Sequence, residues 1–333
     1  MKRRFFSLLP RTVRRVAFLT LLVACGSRTG LFVDESFGPN PIDAGPDARR
    51  DGGTDAEVDA LPPIDARPPA DVDRRDCVDA GQTFIYVITT QYDLYSFNPP
   101  DAAFKLIGNI KCPAGTVSGQ PATPFSMAVD RKGVAFVLFN DERLYRVSTL
   151  TAACIATSYA PRQSNFGLFG MGFTTIGGGP AEALYIAGDD QDRTNSGPGA
   201  GGLARIDPIT FKLTPIASDF SPPIERAELT GTGDGRLFAF YDKGSSNGEP
   251  PTYIGEVDPD TGSIFAEAKL NTVGLGQGWA FAFWGGDFYT FTSVSQNQSQ
   301  VHRYQPSNGS VGQIATLPRR IVGAGVSTCA PQE

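Results

Sequence analysis

Pro124-Phe125-Ser126-Met127-Ala128-Val129-Asp130-Arg131-Lys132-Gly133 opens the stretch that decides the fold of this 333-residue chain. A short apolar run ends there in an Asp-and-Gly turn, and Val134 to Phe139, Leu144-Tyr145-Arg146-Val147 and Cys154-Ile155-Ala156-Thr157 follow as further apolar runs. Runs of this length, rich in β-branched and aromatic residues and bounded by turn formers, read as strands. The same plan recurs: an opening strand, a tight turn, a second strand with aromatics, a variable loop and a closing hairpin. It runs from Leu168 through Leu184-Tyr185-Ile186 and Leu203-Ala204-Arg205-Ile206-Asp207-Pro208 to Leu213, from Ala227 to Leu270, and from Trp279 to Leu317. A repeat of about 45–50 residues built from four strands is the signature of propeller blades.

The outermost segments are each incomplete, and they complement one another. Phe84–Thr90, Asp93–Pro99 and Phe104–Cys112 supply three strands without an opener, and Ile321–Thr328 is an opener with nothing after it. Joined, they make one blade, so the sequence predicts an all-β, five-bladed β-propeller over residues 77–333, closed by shared N- and C-terminal strands that leave no sheet edge free at the seam.

Upstream of this domain lie two other compositions. Residues 1–24 read as a signal peptide: Arg3, Arg4, Arg11, Arg14 and Arg15 precede the apolar run Val16 to Ala24, too short to be a permanent membrane span. Leu22-Val23-Ala24-Cys25 resembles the lipobox of bacterial lipoproteins, which implies acylation of Cys25 and attachment to a membrane through the lipid. Gly26 stands where inner-membrane retention would resemble an Asp, so the resemblance implies an outer-membrane lipoprotein of the cell envelope. Residues 25–76 are rich in Asp, Ala and Pro, as in Pro41-Ile42-Asp43-Ala44-Gly45-Pro46-Asp47-Ala48, and nearly free of aromatics. A segment with so little apolar area to bury is expected to be a disordered tether. If extended as polyproline II at about 3.1 Å per residue, it would reach on the order of 100 Å.

The turn Asp258-Pro259-Asp260-Thr261-Gly262, matched in part by Asp207-Pro208-Ile209-Thr210, resembles those of quinoprotein-like repeat propellers. The stretch Pro124 to Cys154 is similar to a group of uncharacterised bacterial lipoprotein propellers, a resemblance that implies a fold and no activity.

Charge narrows the partners. The net charge is −6, and the leader carries six basic residues and no acid, so its removal takes the mature chain to −12. An acidic protein of this kind has no electrostatic attraction for nucleic acid. With Cys25 acylated, Cys77, Cys112, Cys154 and Cys329 remain, an even set that allows three pairings in an exported chain. Cys77 precedes the first strand and Cys329 follows the last, so they flank one hairpin end of the closing blade and are expected to bond. Cys112–Cys154 is the remaining pair, although nominal blade geometry puts the two on opposite edges.

Sites of chemistry are sparse. His302 is the only histidine, which excludes multi-histidine metal sites, and alternation in its strand points it outward to solvent. Nothing beside His302 marks a nucleophile elbow. No cofactor or metal is expected. Asp190 and Asp192, in Asp189-Asp190-Gln191-Asp192-Arg193-Thr194-Asn195, offer clustered oxygens of the kind calcium prefers, but the spacing departs from the EF-hand pattern and a solvated acidic loop is the simpler reading. Trp279 and Trp284, in the aromatic run with Phe281 and Phe283, are candidates for stacking on a sugar, against the plainer role of filling the wedge between blades. The expectation is therefore a non-enzymatic module binding an envelope protein or glycan. The alternative is a carbohydrate-active hydrolase with carboxylates in the propeller funnel, for which Glu225 and Glu228 are the nearest acids.

Overall fold

The computed structural model describes residues 60–65, 77, 83–188, 193–194, 197–198, 200–244, 248–295 and 297–333. The proposed signal peptide, Cys25 and most of the proposed tether lie outside the described residues, as do Asp190 and Asp192.

In chain order the first three strands are β1 (Ile85–Thr89), β2 (Asp93–Asn98) and β3 (Ala103–Asn109), followed by a small hairpin, β4 (Thr116–Val117) and β5 (Gln120–Pro121). The second blade is β6 (Pro124–Val129), β7 (Val134–Phe139), β8 (Leu144–Ser148) and β9 (Cys154–Ala156). The third comprises β10 (Phe169–Thr175) and β11 (Glu182–Gly188), a two-stranded arm of β12 (Arg193–Thr194) and β13 (Gly197–Pro198), then β14 (Leu203–Ile206) and β15 (Leu213–Ala217). The fourth is β16 (Glu225–Gly231), β17 (Leu237–Asp242), β18 (Thr252–Val257) and β19 (Ile264–Leu270). The fifth is β20 (Trp279–Trp284), β21 (Asp287–Ser295), β22 (Gln298–Gln305) and β23 (Ser310–Leu317), and β24 (Ile321–Val326) ends the series.

Each blade is a four-stranded antiparallel sheet, and the first is ordered β24-β1-β2-β3. Ile85 faces Val326 and Val87 faces Ala324, so the two ends of the domain do complete a single sheet. The circle of packing confirms the circle of strands. Five buried apolar clusters lie one between each pair of adjacent blades. Aromatic rings span the wedges: Phe136 meets Phe173 between the second and third blades at 5.2 Å, Phe238 meets Phe288 between the fourth and fifth at 4.7 Å, and Phe97 meets Phe291 between the first and fifth at 5.6 Å. Edge-to-face pairs of this kind add to the area they bury.

Five blades leave little room on the axis, and the inner strands resolve this by close approach. A Cβ on Gly172 would lie 2.8 Å from the Leu229 carbonyl, and one on Gly323 would lie 2.7 Å from the Met127 nitrogen. Side chains are absent there because backbone fills the space.

The alternation of turns gives the toroid two unlike ends. One end carries the hairpins that join first to second and third to fourth strands. Here Asp side chains close the turns: Asp130 Oδ1 accepts from Lys132 N and Val134 N at 2.9 and 2.8 Å, and Asp258 Oδ1 accepts from Asp260 N and Thr261 N at 2.8 and 3.2 Å. Gly262 ends that turn at φ 72°, which a side chain would oppose. The Cys77–Cys329 disulfide also sits at this end, with the α-carbons 5.8 Å apart. The other end carries the long connections. The second disulfide belongs to neither end alone: Cys112, just past β3, bonds Cys154, which follows the third-to-fourth hairpin of the second blade, with α-carbons 5.1 Å apart despite nominally opposite edges. The reason is that the chain leaving β3 folds into the outer wedge: Ile110 is buried between the first two blades, and the Tyr145 hydroxyl donates to the Pro113 carbonyl at 3.1 Å.

One part of the expected spacer is ordered against the domain. Residues 60–65 straddle the outer strand of the fourth blade, with Leu61 packed on the cluster between the third and fourth blades and Ile64 buried in that between the fourth and fifth. The Pro62 carbonyl accepts from Glu267 N at 2.8 Å, and the Asp65 carbonyl accepts from Arg236 Nη2 at 3.0 Å. The prediction of a solvated tether fails for these six residues, because the buried Ile64, the packed Leu61 and two hydrogen bonds to the segment's carbonyls, one from a backbone amide and one from the Arg236 side chain, act against the cost of ordering so short a piece.

Candidate functional site

The sharpest departure from a regular blade lies at the start of β16. Arg226 holds φ 49°, and the pairing with β17 slips between Glu225 and Glu228. A bulge of this kind re-aims a side chain. Arg226 is thereby turned to the wall shared by two clefts at the loop end. Its guanidinium pairs with the buried carboxylate of Asp242 and lies 5.8 Å from the Trp279 ring. On the third-blade side the cleft measures about 960 Å³, with Asp219, Glu225, Lys243, Tyr253 and Lys269 among its walls. A second cleft of about 600 Å³ lies toward the fifth blade, lined by Glu249, Gln277, Thr292, Gln300 and His302. Clefts of a few hundred to a thousand Å³ are of the size that hold small ligands or short segments of larger ones.

The larger cleft is organised around Glu267. Its carboxylate takes a proton-donating contact from the Tyr241 hydroxyl and pairs with Lys243 Nζ at 2.9 Å, and Lys243 in turn lies 4.4 Å from the Tyr253 ring. Burial raises the Tyr241 hydroxyl pKa, and the adjoining Glu267 carboxylate raises it further, so the phenol stays a donor. Three buried side-chain polar atoms of the fifth blade have no protein partner among the described residues, and one of them belongs to His302 on the wall of the smaller cleft. They are His302 Nδ1, Thr290 Oγ1 opposite it in the pairing of β21 with β22, and Trp279 Nε1, whose residue pairs with Thr292. His302 is half-buried, and burial lowers its pKa, so the expectation of a solvated, outward imidazole is corrected. The fifth blade packs on the fourth through this face of β22, and the wedge covers the ring.

Trp279 and Trp284 do not form one platform. They stand five residues apart at opposite ends of β20, about 17 Å along a strand. Trp279 packs on the fourth–fifth wedge, while Trp284 packs on the wedge between the fifth and first blades and donates Nε1–H to the Thr83 carbonyl at 2.7 Å.

Funnel chemistry would need several carboxylates converging on the axis. The inner strands β6, β10, β16, β20 and β24 contribute two, Glu225 and Glu228, and Glu225 is exposed at the loop end. Glu228 is buried and accepts from the Ser126 hydroxyl at 2.8 Å, and burial raises its pKa well above the ordinary carboxylate value. The required set is not assembled among the described residues. No group of three or more His, Cys, Asp or Glu side chains with metal-binding geometry occurs among them either.

A half-buried acid stands at the clamp end. Glu182 accepts from Arg131 N at 2.8 Å and from the Thr328 hydroxyl at 3.0 Å, linking the third blade, the second blade and the C-terminal segment. Burial pushes its pKa up to about 7. Neither Glu182 nor Arg226 stood out in the sequence, because the bulge and the three-way junction that make them distinctive are tertiary.

No family model and no curated protein matches the chain. Among solved structures it is similar to TolB from Acinetobacter baumannii, at 13% identity over 74% of this chain and 67% of that one with a TM-score of 0.43. It is also similar to a chain of the mitotic checkpoint complex, at 12% identity over 86% of this chain and 76% of that one with a TM-score of 0.34. The description of the fold rests on the strand pairing and the five wedges.

Proposed function

We propose that this chain is an exported, lipid-anchored binding module of the cell envelope, held at the outer membrane through Cys25 and non-enzymatic. Its loop end would present the clefts on either side of Arg226 to a protein or glycan. The observation that carries the reading is the pair of disulfides, since such bonds form and persist in oxidising compartments outside the cytosol. The basic-then-apolar leader ending in Leu22-Val23-Ala24-Cys25 supports export and supplies the anchor. Polar walls in both clefts, with Lys243, Glu249, Gln277 and Gln300 among them, suit a ligand rich in hydroxyl or amide groups.

Mass spectrometry of the mature N-terminus tests the anchor. A diacylglyceryl group on Cys25, absent in Cys25→Ser together with release from the membrane fraction, is the expected result; an unmodified Cys25 in the mature chain refutes it. Binding is tested by passing glycans and envelope extract over the immobilised protein, with Arg226→Ala as comparison. Retention that Arg226→Ala leaves intact would move the binding surface away from the clefts.

A further inference from the structure

The segment clipped to the fourth blade has a twin. Pro63-Ile64-Asp65-Ala66 recurs in the same chain, residue for residue, as Pro41-Ile42-Asp43-Ala44. The clip itself shows what the blade reads. Ile64 enters the wedge between the fourth and fifth blades, where the inward positions of β19 are Ala266 and Ala268, too small to fill it. Arg236, pinned by Glu256 at 2.8 Å through both Nε and Nη2, offers its guanidinium to Asp65: Nη2 donates to the main-chain carbonyl and the charge attracts the carboxylate. Glu267 N, on the open edge of β19, donates to the carbonyl two residues before the isoleucine. That edge would otherwise be unpaired at this point, and prolines hold the incoming segment extended at small entropic cost.

We propose that the outer edge of the fourth blade is a docking station for a Pro-Ile-Asp segment, and that Pro41–Ala44 of the same chain is its alternate occupant, competing with Pro63–Ala66 for one groove. The second copy keeps both side chains that are read, Ile42 and Asp43, and Asn40 supplies the carbonyl that faces Glu267 N. It lacks the second jaw of the clip, because Pro39 stands where Leu61 does. It must also close a longer loop to the disulfide at Cys77, residues 44–76 against residues 66–76, three times as many. Loop-closure entropy alone therefore favours the nearer copy by about five-fold. The nearer copy is the resident and the farther one the minor occupant.

The consequence rests on the lipid-anchor reading. With the nearer copy docked, residues 26–59 are the free leash between Cys25 and the domain; with the farther copy docked, residues 26–37 are. At about 3.1 Å per residue the extended reach falls from about 105 Å to about 37 Å. One chain would thus hold its propeller at either of two distances from the membrane.

The test uses the full chain carrying Cys25→Ser, so that docking is read without a lipid and its failure is separate from that of the anchor. Hydrogen exchange at the Glu267 amide is compared in this parent, in Ile64→Asp and in Ile64→Asp/Ile42→Asp, with the Phe240 amide in β17 as the check that the blade stays folded. The expected result is protection in Ile64→Asp at least about five-fold below the parent and still above the double variant. Equal exchange in the single and double variants overturns the proposal. Protection in Ile64→Asp that rises with protein concentration overturns it too, because the motif would then be docking on another copy. A synthetic peptide of residues 38–45 titrated onto the double variant gives a second reading: restored protection at Glu267 supports the station, and none up to millimolar peptide refutes it.

Discussion

The two ends of this toroid are built on different principles. At the clamp end every connection is a tight turn, several closed by an Asp side chain, and both ends of the domain meet there under the Cys77–Cys329 bond. At the loop end the connections lengthen into the β4–β5 hairpin, the β12–β13 arm and the segments that wall the two clefts. The ring is sealed at one face and diversified at the other, so loops can change without loosening the closure. This separation is what lets a rigid scaffold carry variable binding surfaces.

The largest test of that contrast is removal of the seam bond. Cys77→Ser/Cys329→Ser frees a cross-link spanning 252 residues, for which the chain-entropy relation gives about 5.5 kcal/mol. Cys112→Ser/Cys154→Ser frees one spanning 42 residues, worth about 4 kcal/mol on the same relation. Denaturant unfolding should rank the first below the second in stability. The reverse ranking would mean that the seam is held by its strand pairing and that the bond there adds little.

A smaller effect should come from the axis. Gly323→Val places a branched side chain against the Met127 backbone, where even a Cβ has no room. Overpacking of this kind costs about 1–3 kcal/mol, and here it should show as a lowered thermal midpoint. The matching change at an outer strand, Gly312→Val in β23, meets nothing within 4 Å and should leave the midpoint within a degree or two. Equal losses at both sites would show that the inner strands can part.

Glu182 gives the clamp end a pH dependence of its own. Its pKa is raised by burial to about 7, above the 4.5 of an unfolded chain. Below pH 4.5 the group is protonated in both states and contributes no penalty. As the pH rises from 4.5 to 7 the unfolded chain ionises first, so stability falls across that window and then levels. The expected loss is up to about 3 kcal/mol, and Glu182→Gln should flatten it. A stability curve that rises between pH 4.5 and 7 in the parent and not in the variant would reverse the sign and place a positive partner, Arg131, against the carboxylate.

The ends also differ in how much of them the sequence disclosed. Clamp-end features are local: Asp258-Pro259-Asp260-Thr261-Gly262 forms its turn from its own residues, and the match of Ile321–Thr328 to the missing opener follows from counting strands. These signals survive in a single sequence because the atoms that interact are neighbours along it. Loop-end features depend on what meets across space. Arg226 is re-aimed by a bulge that no propensity marks, and His302 is covered by a neighbouring blade although alternation along β22 points it outward. Ile64 was hidden differently. It is one apolar residue in a segment whose composition reads as solvated, and its partners Ala266 and Ala268 lie some two hundred residues on. Composition averages over a stretch, whereas docking is decided by one side chain and the notch that receives it.

Between the two ends, on the axis itself, Glu228 supplies the finest test. Its carboxyl is buried, accepts from the Ser126 hydroxyl, and has its pKa raised well above the ordinary value by burial. Burial favours the uncharged form of such a carboxyl, and an amide of the same shape can take its place while still accepting from Ser126. Glu228→Gln should therefore change the stability at pH 7 by less than about 1 kcal/mol, measured by denaturant unfolding. A loss of about 3 kcal/mol or more would mean that the group is an ion held by a buried cation, since breaking such a pair costs that much. The axis would then hold a charged site in its own right, and the division between a sealed face and a diversified one would have to admit a third region.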